Sequence, residues 1–107
     1  MVEYTINIDT VFSSLADATR RDILSRVLRQ SQSIGELAES YKHLSFAAVA
    51  KHIGVLEAAK LITKKKEGRY QIITANPKVL AAAERVLQEY QAAWESRFNT
   101  LDTLLKE

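Results

Sequence analysis

Two histidines, His43 and His52, are the chain's only imidazoles, and they stand nine positions apart. A metal or catalytic pair needs further ligands or an acid close by, and this spacing supplies neither. His52 instead reads as a residue that borders the core or touches a phosphate. The chain has no cysteine, which rules out disulfides, thiolate metal centres and cysteine nucleophiles. Its serines show no accompanying histidine–acid pattern, so nucleophilic catalysis has no support and no enzyme is expected. The residues left to act are cations. Lys64, Lys65, Lys66 and Arg69 cluster within six positions.

That cluster is part of a wider asymmetry. The net charge is only +2, yet residues 42–78 hold eight basic and two acidic side chains, a local charge of +6. The segments on either side each carry −2. A basic middle between acidic flanks describes a surface for a polyanion; it equally describes a solvated, lysine-rich loop. With 107 residues, 47% of them apolar, the chain suits one domain spanning 1–107 with one modest core. No apolar run approaches the roughly 18 residues of a membrane span, and no leader pattern opens the sequence, so a cytoplasmic protein is expected.

The elements that must carry these cations can be read from period and caps. Val2, Tyr4, Ile6 and Ile8 alternate with polar residues, which predicts an extended arm. A short helix after Asp9 or Thr10 would hold Val11, Phe12 and Leu15. Asp17 caps the next helix, with Ile23, Leu24, Val27 and Leu28 inward and Arg20, Arg21, Arg26 and Arg29 facing water. Gln30-Ser31-Gln32 reads as a polar break. Ser33 and Glu36 form a capping box for a helix through Tyr41. After a turn at Lys42-His43-Leu44, Ser45 caps a helix to about Lys60, with Val49, Ile53 and Leu56 buried. Leu61 to Lys66 and Arg69 to Thr74, around Glu67-Gly68, predict a hairpin.

Asn76 as cap and Pro77 at the first position then open a final helix. Neither glycine nor proline follows before Lys106, so the helix would be a rod of about 45 Å. Leu80, Ala83, Leu87, Tyr90, Trp94, Phe98, Leu101 and Leu105 form a seam at three- and four-residue steps. A second copy would cover it, with Phe12 and Leu15 completing the interface; an intramolecular core helix explains its first half well and its aromatic second half poorly. Trp94, Tyr90 and Phe98 could also line a small-molecule pocket between protomers, although aromatics at this spacing serve packing too.

The fold class that follows is mainly α with a small β-hairpin: a winged helix-turn-helix (about 33–60), a wing (61–74) and a long C-terminal dimerisation helix (77–106). A helix fits the major groove of duplex DNA, so Ser45, Phe46, Ala47, Ala50, Lys51 and His52 would approach bases and phosphates. Lys64, Lys65, Lys66 and Arg69 would follow the DNA backbone from the wing. The competing reading is a winged helix whose basic wing contacts an acidic protein.

At this point the chain resembles the ArsR/SmtB winged-helix repressors. Leu15-Ala16-Asp17-Ala18-Thr19-Arg20-Arg21-Asp22-Ile23-Leu24 is similar to the family's opening helix, where proline is commoner in the place of Ala18. Ile34-Gly35-Glu36-Leu37-Ala38 is similar to its first helix-turn-helix element. Ser45 through Leu56 resembles the recognition helix. Leu61-Ile62 with Glu67-Gly68-Arg69 resembles the wing, and Asn76-Pro77 the start of the dimer helix. The resemblance spans about residues 10–105. It implies a homodimeric repressor of transcription that binds double-stranded DNA under the control of a signal, either a small-molecule or a protein effector. Metal-sensing relatives carry cysteines at the first helix-turn-helix element, or Asp and His on the final helix. Here those places hold Ile34 to Ala38 and a helix without histidine, which implies the metal-independent branch, with no cofactor. Phe46, Ala47, Ala48 and Ala50 stand where relatives often have Ser or Arg, so base reading would lean on thymine methyls and DNA shape.

Overall fold

The computed structural model describes residues 6–106. Five helices and three strands follow in the order α1 (Ile8–Ser14), α2 (Ala18–Arg29), β1 (Gln32–Ser33), α3 (Ile34–Glu39), α4 (Phe46–Ala58), β2 (Ile62–Glu67), β3 (Tyr70–Ala75) and α5 (Pro77–Lys106). Each of the first four helices starts where a side chain takes up a free amide. Asn7 accepts from the amide of Thr10, Asp17 from that of Arg20, Ser33 from that of Glu36 and Ser45 from that of Ala48. At Ser33 the Glu36 carboxylate also returns to the Ser33 amide at 3.1 Å, completing the capping box.

The core is built where these helices meet the sheet. Ile23, Leu37, Val49, Ile53, Leu56, Leu61 and Ile73 are fully buried, and Val11 closes one side. The strands form one antiparallel sheet in the order β1-β3-β2. The hairpin closes over Gly68-Arg69, between the paired Glu67 and Tyr70. Gly68 has φ +61°, and Arg69 does not share the positive sign. That is the pattern of a type II′ turn, whose first central position suits glycine.

Several expectations shift against the structure. Residues 2–5 of the expected arm lie outside the described residues, while Ile8 begins α1 because Asn7 caps ahead of Asp9. The polar break contains β1, which was not expected: two residues cannot show alternation, and they are strand only because β3 pairs with them. Helix α3 ends at Glu39, short of Tyr41, and α4 ends at Ala58. Beyond α4, Lys60 takes φ +64°; its amide donates to the Glu57 carbonyl at 2.9 Å and the Leu61 amide to Leu56 at 3.1 Å. This is a Schellman turn with lysine in the place that favours glycine. Asn76 was expected to cap α5, but its side-chain nitrogen donates back to the Lys60 carbonyl at 3.1 Å. Leu28, expected inward, is about half exposed, at 48%. Arg20 and Arg26, expected in water, are half-buried.

Candidate nucleic-acid interface

Ser45 starts α4 on the surface, and Phe46, Ala47 and Lys51 are exposed on it, while Val49, Ile53 and Leu56 face the core. Ala50 and His52 are half-buried at the flanks of that exposed face. Phe46 is 58% exposed at the first helical position, an uncovered ring that the core does not need. The exposed face therefore has one cation, one aromatic ring and small methyl groups, with few directed hydrogen-bonding groups.

The wing supplies the charge. From Thr63 to Arg69 every residue is exposed. The pleat sets Lys64 and Lys66 on one face of the ribbon and Lys65 on the other. Lys64 reaches the Glu57 carboxylate at 3.7 Å, so its charge is partly matched at the base of the wing. Among the described residues, Lys65, Lys66 and Arg69 make no ion pair. Strand β2 is also an edge of the sheet, where lysines discourage another chain from adding a strand. These cations thus serve the isolated fold and remain available to a polyanion.

Two polar clusters that sequence reasoning missed hold the α4 region in place. In the first, Asp22 of α2 accepts from the hydroxyl of buried Tyr41 and from Arg26 Nε at 3.1 Å. Arg26 also lies over the Tyr41 ring, 5.4 Å from its centre. The Tyr41 and Arg26 donors hold the Asp22 carboxyl below its ordinary range. Burial, with the Asp22 carboxylate adding to it, pushes the Tyr41 hydroxyl up to about 12. The cluster clamps the end of α3 to α2. In the second, Arg20 joins the end of α1 to His52 of α4, beside Asp17. The Arg20 amide holds the Asp17 carboxyl below its ordinary range, and the Arg20 guanidinium adds to this. The signal for both was present as Asp, Arg, Tyr and His at unrelated spacings. Only the packing of α2 on α3 and α4 brings them together.

The expected interface residues of α5 divide in two. Leu80 is half-buried and Ala83 buried, against the body of the fold. From Leu87 onward every described residue of α5 is exposed, with Trp94 at 65% and Phe98 at 59%. Phe12 and Leu15, at the end of α1, are half-buried, and α1 packs on α5. Among the described residues, no three His, Cys, Asp or Glu side chains come together as metal ligands would. No helix there is long and apolar enough to cross a membrane.

Known proteins decide the family. No family model matches the chain. The HTH-type transcriptional regulator Rv2034 of Mycobacterium tuberculosis is 33% identical over 82 residues, which is 77% of this chain and 76% of the relative. The crystal structure of the ArsR family transcriptional regulator RHA00566 superposes with a TM-score of 0.78 at 33% identity, over 90% of this chain and 98% of the other. The chain belongs to the ArsR family of transcriptional regulators. The transcriptional repressor SdpR of Bacillus subtilis is a further relative, 28% identical over 67% of this chain and 79% of its own length. The architecture is accordingly the family's winged helix-turn-helix, mainly helical, with a three-stranded antiparallel sheet and a long C-terminal helix. As an ArsR-family regulator, the chain is not an enzyme.

Proposed function

We propose that this ArsR-family regulator is a cytoplasmic, homodimeric repressor that binds double-stranded DNA and does not sense metal. In this reading residues 1–107 act as one winged-helix unit. Helix α4 enters the major groove with Ser45, Phe46, Ala47, Ala50, Lys51 and His52, and Lys64, Lys65, Lys66 and Arg69 lie along phosphates. The observation that carries the reading is the exposed cations of the wing together with an α4 face that the core leaves free. The direction of control is taken from SdpR, which is a transcriptional repressor. The metal-independent part rests on the donor set: without thiolates, and with no imidazole on α5, a transition metal has no preferred ligands there.

Selection of bound fragments from random duplex DNA tests the whole reading. Recovery of an enriched sequence with dyad symmetry is expected; recovery of nothing above background would defeat it. On the selected fragment, micromolar zinc, copper or cadmium should leave the affinity unchanged. A stoichiometric metal site that alters binding would remove the metal-independent part alone.

A further inference from the structure

Arg20 and His52 meet where α2 packs on α4. Arg20 is committed on its α1 side: its Nε donates to the Ser14 carbonyl at 2.6 Å and its second terminal nitrogen to the Ser13 carbonyl at 3.3 Å. Its remaining terminal nitrogen, Nη1, lies 3.4 Å from Nδ1 of His52. A guanidinium can only donate, so this approach is a hydrogen bond only when Nδ1 carries no proton. The competing partner, Asp17 Oδ2, is farther from Nδ1, at 3.8 Å, and already accepts from the Arg20 amide at 2.9 Å. A neutral imidazole with a bare Nδ1 has its proton on Nε2. Among the described residues Nε2 has no hydrogen-bond partner, and it is not a buried orphan. With Nδ1 accepting from Arg20, the Nε2–H donor is left unused among the described residues and lies on α4 next to Lys51.

We infer that Arg20 is a positioning residue for DNA binding: it holds His52 as the Nε2–H tautomer, so that α4 offers one directed N–H donor to a phosphate oxygen. The inference rests on the reading of α4 as the helix that meets DNA. It adds a polar group to a face otherwise short of them. Arg20 of α2 thereby ties the end of α1 to the middle of α4. A phosphate is favoured over a base edge because His52 is half-buried at the flank of α4 and not at its exposed centre.

The test joins a spectrum to an affinity. Nitrogen–proton correlation spectra of the imidazoles in the free protein should show His52 with its proton on Nε2 and a bare Nδ1. Arg20→Lys keeps the charge without the planar fork and should let both tautomers populate. His52→Leu should weaken binding to a mixed-sequence duplex and to the tightest selected fragment equally, by about ten-fold or more. His52→Gln can accept from Arg20 and still donate, and should recover most of that loss. A proton on Nδ1, or His52→Leu at wild-type affinity while wing variants lose binding, overturns the inference and leaves the DNA reading intact. A loss confined to the selected fragment overturns the phosphate assignment. A wild-type protein that binds neither duplex overturns the DNA reading itself. If Arg20→Lys does not fold, the wild-type spectrum and the two His52 variants decide.

Discussion

Asp22 and Tyr41 make the stability of the helix-turn-helix depend on pH at both ends of the scale. Asp22 titrates lower in the folded chain than in the unfolded one, so its contribution is present above about pH 4 and fades as pH falls through the folded value. Tyr41 is shifted the other way, from 10.0 to about 12, so its contribution is present below pH 10 and is lost as pH rises toward 12. Urea midpoints measured across pH should fall at both limits. Asp22→Asn should flatten the acid limb in part, since Asp17 is shifted in the same sense. Tyr41→Phe should flatten the alkaline limb; unchanged limbs in both variants would dismiss the cluster as a clamp. Lys60 gives a second prediction at this scale. A side chain at φ +64° carries a steric cost that glycine escapes, so Lys60→Gly should raise stability by about 0.5–1 kcal/mol in denaturant titration. A decrease would show that interactions of the lysine side chain outweigh the backbone strain.

The elements were legible in the sequence to the extent that local chemistry sets them. Asp17, Ser33 and Ser45 announced their helices because capping is a matter of a few neighbouring atoms, and Gly68 marked the wing turn because its φ is positive. What the sequence did not reveal depends on distant partners: β1 exists only through β3, and Asn76 turns from its expected cap to the Lys60 carbonyl. The candidate interface shows the same division. The wing cations could be named from their spacing, but the match of Lys64 to Glu57 and of His52 to Arg20 required the fold. The wing prediction follows from that difference. Replacing Lys65, Lys66 and Arg69 by Ala should weaken binding to all duplex sequences. It should also lower the slope of log affinity against log salt by about 0.9 for each phosphate that goes unneutralised in each protomer. Lys64→Ala should have a smaller effect, because Glu57 already offsets its charge. A salt slope that does not move would take the wing out of the mechanism.

At the scale of the whole molecule, the fold spans 68 Å along its longest axis. Helix α5, a rod of about 45 Å, has Val79 and Ala83 buried on the body of the fold and no covered residue from Leu87 on. Its free part carries Leu87, Tyr90, Trp94, Phe98, Leu101 and Leu105 along one stripe, with Leu104 beside it. Burying a large apolar side chain is worth roughly 1.5–3 kcal/mol, so an uncovered stripe of this size is costly in water. A second copy offers the same stripe, and pairing the two about a two-fold axis covers both at once. The Phe12 and Leu15 side chains, half-buried where α1 meets α5, can extend such an interface. A two-fold dimer would also set two α4 helices on one side of a duplex, which matters for a reading face built mainly of alanines and one phenylalanine. We expect the wild-type chain to sediment as a dimer at micromolar concentration. Trp94→Asp places a carboxylate in the middle of the stripe, where a partner would bury it unpaired. It should yield monomers with nearly unchanged helix content and much weaker binding to the selected DNA. Because Trp94 is exposed within its own chain, a loss of helix content would count against this assignment. A monomeric wild type, or a Trp94→Asp variant that remains a tight dimer, would show that the stripe on α5 serves something other than self-association.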